Sequence, residues 1–337
     1  MTQQIARRYF PALDATMRQI VASVPLMDAP DFSTMLRYPL GWVDAEGNDY
    51  NQPAGKRIRP LLLLLCSEAV GGNWQTALPA AAAVELLHNF SLIHDDIQDD
   101  SPTRHGRPTV WKVWGNANAI NAGDALFALA YTALQRVENV SAAISLKIWE
   151  IFNRTNLDLT RGQHLDMRFE HQETVSVDEY ISMIGGKSAA LLSACAQMGA
   201  LIGSGDEAIA AHFADFGRNL GLAFQIRDDI LGIWGDPDVT GKSVATDILS
   251  RKKSLPVLYG LSQSPRLAEV YHSEPFGEAQ VNEAVDLLNQ VGAQNYTHEL
   301  ETKYYEQAMR SLELANPQGD AARGLAVLTE SLFQRQA

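Results

Sequence analysis

Apolar residues recur along most of this chain at intervals of three and four, in stretches rich in Ala, Leu, Ile and Met, and almost nowhere alternate with polar ones. The pattern predicts a nearly all-helical fold of about a dozen helices, several of them longer than about 15 residues. Breaks rich in Gly, Pro, Asp, Asn or Ser fall at residues 39–55, 71–74, 101–108, 203–206, 235–241 and 263–278. No fixed-period repeat, Gly/Ser-rich linker or low-complexity tract divides the chain, so residues 1–337 read as one domain. Its chemical motifs fall within residues 50–260, and the amphipathic stretches over 276–337 complete the bundle without a functional signal of their own.

Composition sharpens this picture in two ways. A hydrophobic fraction of 46% over 337 residues supports a substantial core, which sets intrinsic disorder aside. Forty acidic against 27 basic residues give a net charge of −13, which argues against a nucleic-acid partner, so any phosphate chemistry must be local. The two cysteines, Cys66 and Cys195, lie in apolar stretches and are expected to be reduced core residues. The start, MTQQIARRYFPALDA, lacks the marks of a signal peptide, and no uncharged apolar run reaches the ~18 residues of a membrane span. The expectation is a cytoplasmic protein without stable membrane insertion.

Two acidic clusters break the apolar pattern. The stretch ELLHNFSLIHDDIQDDSPTRHGRP begins as an apolar helix and ends in four carboxylates. Residues four apart share a helix face, so Asp95 pairs with Asp99 and Asp96 with Asp100, while His88 stands two turns before Asp95 on nearly the same side. Carboxylates so placed repel unless a cation sits between them, and oxygen-only ligands suit Mg²⁺, which shares substrate phosphate oxygens. The plainer alternative, a solvated helix end, sets negative charge against the helix dipole. Arg104 and Arg107 follow with donors able to grip phosphate.

Further on, FQIRDDILGIWGDPDVTGKSVATDILSRKKSLP pairs Asp228 and Asp229 at the end of an apolar helix and follows them with Lys242, Lys252 and Lys253. Two such elements facing one another would hold metals on both sides of a pyrophosphate. A third carboxylate one turn after Asp228 is missing, because position 232 is Gly. Asp236 is a substitute only if the helix persists past Gly235 and Pro237.

At this point the chain resembles the trans-prenyl diphosphate synthases, the polyprenyl synthetase family. In chain order it carries GKRIRP from Gly55 to Pro60, ELLHNFSLIHDDIQD from Glu85 to Asp99, then Arg104, and GD at Gly123 and Asp124. GQHLD from Gly162 to Asp166, KS at Lys187 and Ser188, FQIRDD from Phe224 to Asp229, GK at Gly241 and Lys242, and DILSRKKSLP from Asp247 to Pro256 follow. The resemblance implies an all-α bundle around a deep central cavity, working as a homodimer with two or three Mg²⁺ ions, that elongates an allylic diphosphate with isopentenyl diphosphate. By position it assigns metal ligation to Asp95, Asp96, Asp99 and Asp228. Arg104, Lys187, Ser188, Gln225, Lys242 and Lys252 surround the allylic diphosphate, and Lys56, Arg59 and His88 hold isopentenyl diphosphate. Asp124 and Asp166 stand between structural and catalytic support. Two departures mark this chain: Gly232, and His105 where the family has a second Arg reaching isopentenyl diphosphate, with Arg107 as the possible compensation.

Product length in such an enzyme is set by what blocks the cavity below the metals. Phe90, five residues before Asp95 and therefore about 7.5 Å deeper along a helix, stands beside the small Ser91. Within the resemblance, that aromatic with an uninterrupted Asp95–Asp99 motif matches geranylgeranyl (C20) synthases over farnesyl (C15) ones. A terpene cyclase ionises the same substrates but has no need of GKRIRP or His88, and a non-catalytic subunit would have lost its acidic motifs.

Overall fold

The computed structural model describes residues 2–25, 28–50, 55–235 and 245–333. The all-helical expectation holds: among these residues the strands are a two-stranded hairpin, β1 (Thr103–Arg104) and β2 (Arg107–Pro108), beside one isolated bridge, Val43 to Asp49. Chain contacts divide into two compact units, the first Met1–Trp149 with 198–206 and 318–324, the second Glu150–Gln197, Glu207–Pro317 and Leu325–Ala337.

The first unit holds α1 (Thr2–Val21), α2 (Pro30–Arg37), α3 (Ile58–Ala69), α4 (Leu78–Gln98), the hairpin, α5 (Val110–Trp114), α6 (Asn116–Leu134) and the start of α7 (Ala142–His171). Its core is built on Leu61 to Leu65 of α3 and Ala80 to Leu87 of α4, with Leu13, Met17 and Ile20 of α1 and Leu126 and Leu129 of α6. The run Ala80–Ala83 combines high helix propensity with small side chains that suit a core helix. The segment Trp74–Gln98 is long and apolar enough to cross a membrane by length and composition, yet 61% of its apolar window is buried inside the structure. Cys66 and Cys195 are buried thiols.

The second unit continues α7 and adds α8 (Val177–Ile184), a π-helical turn at Gly185–Ala189, α9 (Ala190–Ser204, whose end belongs to the first unit) and α10 (Glu207–Trp234). Then come α11 (Thr246–Leu249), α12 (Leu255–Gln263), α13 (Pro265–Tyr271), α14 (Glu278–Gln290), α15 (Ala293–Ala315) and α16 (Gly319–Phe333), which begins in the first unit. Ser176 and Glu179 start α8 with a reciprocal capping box, satisfying two of the helix's orphan N–H groups. That start sets Tyr180 into a core with Met183, Leu222, Ile226, Ile230 and Leu255.

Candidate active site

In the first unit α4 carries the acidic edge. Its last carboxylates divide by exposure: Asp95 is half-buried, Asp99 is exposed, and Asp96 is buried. Asp99 caps the helix, its N–H reaching the Asp95 carbonyl at 2.8 Å, and Asp100 ends it with φ of 48°. Asp95 and Asp99 thus stay on one helical face, as their spacing predicts.

Asp96 does something else. Nε of Arg104 lies 3.0 Å from each of its oxygens and Nη2 lies 2.8 Å from Oδ1, with the Asp96 side chain only 6% exposed. Burial pushes its carboxyl above the usual range against the pull of Arg104. Both oxygens expected on a metal are therefore committed to Arg104 here. The hairpin makes this possible: His105 and Gly106 take φ of 51° and 74°, the two-residue turn that matches strand twist, and return Arg104 opposite Arg107.

Arg107, the candidate to compensate for the missing second Arg, lines the same cavity as His105 but is engaged by aromatic rings and carbonyls. Its guanidinium is stacked between Tyr38 at 4.0 Å and Tyr50 at 4.3 Å, and it donates to the carbonyls of Tyr38 (3.3 Å) and Val43 (2.9 Å). That side of the hairpin borders a cavity of about 200 Å³ whose polar lining includes Asn89, Asp96, Arg104 and His105.

The GKRIRP segment turns through Gly55 (φ 85°) and Arg57 (φ 48°) into α3. Asp14 of α1 accepts from Arg57 at 3.2 Å and from Trp42 at 3.0 Å, which ties the turn to α1. Lys56 is exposed and Arg59 half-buried, with Nη1 of Arg59 3.1 Å from Nε2 of His88. A Cβ at Gly55 would lie 3.6 Å from Nε2 of His105, which sets His105 beside this turn. Arg59, His88 and His105, grouped by sequence for one substrate, therefore gather in one unit on and against α4, with exposed Lys56 three residues before Arg59 in the chain.

Burial, then the charges of Arg59, Arg104 and His105, hold His88 well below the ordinary imidazole range. A neutral ring facing a guanidinium that can only donate must accept through Nε2, leaving its proton on Nδ1. The unfolded chain titrates this ring near 6.5, so below about pH 6.5 it takes up a proton that the folded ring refuses, and stability falls as pH falls until the folded ring also protonates. His88→Gln should flatten that acid-side loss. Thermal melts of both proteins from pH 7.5 to 5 check this, and parallel curves would refute a neutral buried His88.

Phe90 heads a row of half-buried aromatic rings. It meets His94 at 4.7 Å and Phe127 of α6 at 5.0 Å, Phe127 meets Tyr131 at 5.1 Å, and Tyr131 meets Trp149 at 5.7 Å. Ser91 donates to the His88 carbonyl at 2.8 Å, and Asp124 lies 3.7 Å from His94.

The second unit brings the remaining motifs together. Lys187 Nζ donates to Asp166, Ser188 donates to Gln225 Oε1 at 2.7 Å, and Gln225 donates to Asp229 at 3.3 Å. Fully buried Asp229 also accepts from the Tyr180 hydroxyl and, at 3.2 Å, from the N–H of Leu255. Burial raises its carboxyl to about 6 against the opposing influence of Lys252, Tyr180 and Leu255. Asp228, its half-buried neighbour on α10, acts electrostatically on Lys252. Lys253 is turned away, donating to the carbonyls of Phe169 and Gln172 at the end of α7. Lys242 and Asp236 lie outside the described residues.

Sequence reasoning missed two supports here. Tyr180 anchors Asp229. Glu301 of α15 lies 3.7 Å from Arg227 and 3.1 Å from His298, so the C-terminal helices, read as featureless, grip the residue preceding Asp228. The only local trace was His298 one helical turn before Glu301. Among the described residues no three His, Cys, Asp or Glu side chains gather into a metal-binding group. Asp95 and Asp99 in the first unit, and separately Asp228 in the second, carry oxygen donors of the kind that Mg²⁺ takes.

The sequence matches the family model described as Polyprenyl synthetase over residues 42–288. It is 44% identical over 236 residues to the geranylgeranyl diphosphate synthase of Mycobacterium tuberculosis, covering 70% of this chain and 67% of that one. It is 40% identical over 274 residues to the (2E,6E)-farnesyl diphosphate synthase of the same organism, covering 79% and 76%. The structure superposes on the crystal structure of a polyprenyl synthetase from Streptomyces coelicolor A3(2) with a TM-score of 0.89 and 35% identity, covering 98% and 99% of the two chains. With GKRIRP, both acidic helices and the KS and GQHLD segments placed as described, this chain belongs to the polyprenyl synthetase family, whose members are prenyltransferases that join isopentenyl and allylic diphosphates with the help of a divalent metal.

Proposed function

We propose that this protein condenses isopentenyl diphosphate with allylic diphosphates and releases geranylgeranyl diphosphate (C20), with farnesyl diphosphate (C15) as the alternative product. The observation that carries the reading is the gathering of Arg59, Arg104 and His105 around His88 on the helix that bears Asp95 and Asp99. A pyrophosphate-ionising cyclase has no use for a second cationic pocket. The similar proteins bear both product names, so chain length is argued from Phe90 and the rings behind it.

Asp95, Asp99 and Asp228 are the residues that would hold two or three Mg²⁺ ions. Bound there, the ions would neutralise charge on the pyrophosphate as its bond to the allylic carbon breaks. Lys187 and Lys252, with donors from Ser188, Gln225 and the remaining guanidinium of Arg104, bind the same diphosphate and stabilise its growing negative charge. Arg59 and neutral His88 orient isopentenyl diphosphate so that its double bond meets the allylic cation. The proton then lost from the new carbon skeleton goes to the departed pyrophosphate, and no side chain is required as the base.

Incubation with Mg²⁺, isopentenyl diphosphate and an allylic primer, followed by sizing of the dephosphorylated products, tests the reading. C20 alcohol is expected from the wild type. Phe90→Ala should extend the products by at least one five-carbon unit, and an unchanged distribution would remove Phe90 as the floor. Release of a hydrocarbon from the primer alone would replace the synthase reading with a cyclase.

A further inference from the structure

A carboxylate from outside the motifs reaches the GKRIRP turn. Asp14 of α1 precedes residues 42–288, the span that the family model matches. Its Oδ1 accepts from Nη2 of Arg57 at 3.2 Å and from Nε1 of Trp42 at 3.0 Å, and its Oδ2 accepts from Nε of Arg18 at 2.8 Å. Burial works against the charged form, yet these donors hold the carboxyl below its usual range. Asp14 is thus an ionised hub that joins α1, the segment around Trp42 and the turn itself, all within the first unit.

What the hub holds is a strained piece of backbone. Gly55 takes φ of 85° and Arg57 φ of 48°, so Lys56 stands between two residues in the left-handed region. Glycine adopts that region freely, but arginine does so at a cost, and such a conformation persists where surrounding contacts impose it. The Arg57 side chain is only 9% exposed and carries the ion pair with Asp14. α3 starts directly after it, the N–H of Leu61 reaching the Arg57 carbonyl at 3.3 Å, and Arg59 lies in the first turn of that helix against His88. The conformation of Arg57 therefore sets both the direction in which Lys56 leaves the turn and the register at which Arg59 enters α3. Arg57 and Arg59 also act together electrostatically on the buried Glu85 of α4, one turn before His88, so acid groups on two helices answer the inner arginine of the motif.

We propose that Asp14 is a positioning residue for isopentenyl diphosphate: through Arg57 it fixes the left-handed turn, and the turn holds Lys56 and Arg59 where they meet that substrate's diphosphate. The inference rests on the reading of Lys56, Arg59 and His88 as the isopentenyl diphosphate pocket. The allylic diphosphate, assigned to other residues, does not depend on this turn.

Steady-state kinetics with each substrate varied in turn separate positioning from general support. Asp14→Asn keeps the shape of the side chain and removes its charge. It should raise the KM for isopentenyl diphosphate about tenfold, within the range of coupling between contacting residues, and leave the KM for the allylic primer within about twofold. An unchanged KM for isopentenyl diphosphate, or an equal rise in both, would overturn the proposal. Met17→Ala, which empties a fully buried position one turn further along α1, should lower the melting temperature without moving either KM. If it raises the KM for isopentenyl diphosphate as much as Asp14→Asn does, Asp14 is only part of the docking of α1 and the proposal ends. Arg57→Gln should reproduce the split between the two substrates, and Asp14→Asn added to it should cost nothing further, because both substitutions break one contact. Losses that multiply would assign Asp14 a different role and also sink the idea. Arg59→Ala tests the underlying reading by itself: if it leaves the KM for isopentenyl diphosphate unchanged, the pocket assignment falls, whereas a raised KM there beside an unchanged one in Asp14→Asn strikes this inference alone.

Discussion

Asp95→Ala is expected to lower kcat by two to three orders of magnitude while leaving the melting temperature nearly unchanged. The size follows from the carboxylate's role, because removing one preorganised group that stabilises developing charge costs about 10²–10³ in rate. Stability should survive because α4 is secured mainly elsewhere along its length. α4 is held by the buried run from Ala80 to Leu87, and it ends through the Asp99 N–H and the left-handed Asp100, backbone features that alanine at 95 leaves alone. Removing a carboxylate from a helix C-terminus also relieves its conflict with the macrodipole. Asp96→Ala should behave differently. It strands the Arg104 guanidinium and loosens the hairpin, so a fall in melting temperature should accompany its loss of activity. A Mg²⁺ titration of initial rates completes the test, with Asp95→Ala requiring more Mg²⁺ for half-maximal rate. Near-normal turnover would take Asp95 out of the metal site.

The contrast between these neighbours marks where the sequence was legible. A helical repeat places Asp95 and Asp99 on one face without knowledge of anything distant, and the structure keeps them there. The same repeat pairs Asp96 with Asp100, but the partner that claims Asp96 arrives through a turn at His105 and Gly106, and spacing along α4 carries no record of it. Arg107 shows the same limit. As a cation after an acidic helix it invited a phosphate role, yet aromatic faces from Tyr38 and Tyr50, remote in sequence, take it up. Lys253 is lost to backbone carbonyls at the end of α7 in the same way. Motifs whose residues lie within one or two turns were readable. Pairings such as Tyr180 with Asp229, Glu301 with Arg227, or Asp247 with the space at Gly232 arise only once distant segments pack.

Gly162→Ala should be among the most damaging single-methyl changes in the chain, costing about 3 kcal/mol and most of the activity. The GQHLD segment reads locally as an ordinary stretch of α7, in which Gly is unfavourable by about 1 kcal/mol relative to Ala, so helix propensity alone predicts that this substitution stabilises. The packing reverses the sign. A Cβ at 162 would sit 2.2 Å from the backbone N of Lys187, 2.7 Å from the carbonyl carbon of Gly186 and 2.8 Å from the Cα of Lys187. Every one of those atoms is main chain, so no side chain can swing aside, and the π-helical turn Gly185–Ala189 would have to retreat as a body. Gly186→Ala meets the same wall from the other side, 2.5 Å from the Asp158 carbonyl. Retreat of that turn carries Lys187 away from Asp166 and Ser188 away from Gln225, so the loss of stability and the loss of diphosphate binding share one cause. Thr160→Ala, on the exposed face of the same helix, is the control and should shift stability by no more than about 0.5 kcal/mol. Chemical denaturation of the three variants, with pyrophosphate affinity measured on each folded protein, decides the matter: if Gly162→Ala is as stable as Thr160→Ala and binds as tightly, close approach of α7 to the π turn is not what holds Lys187 in place.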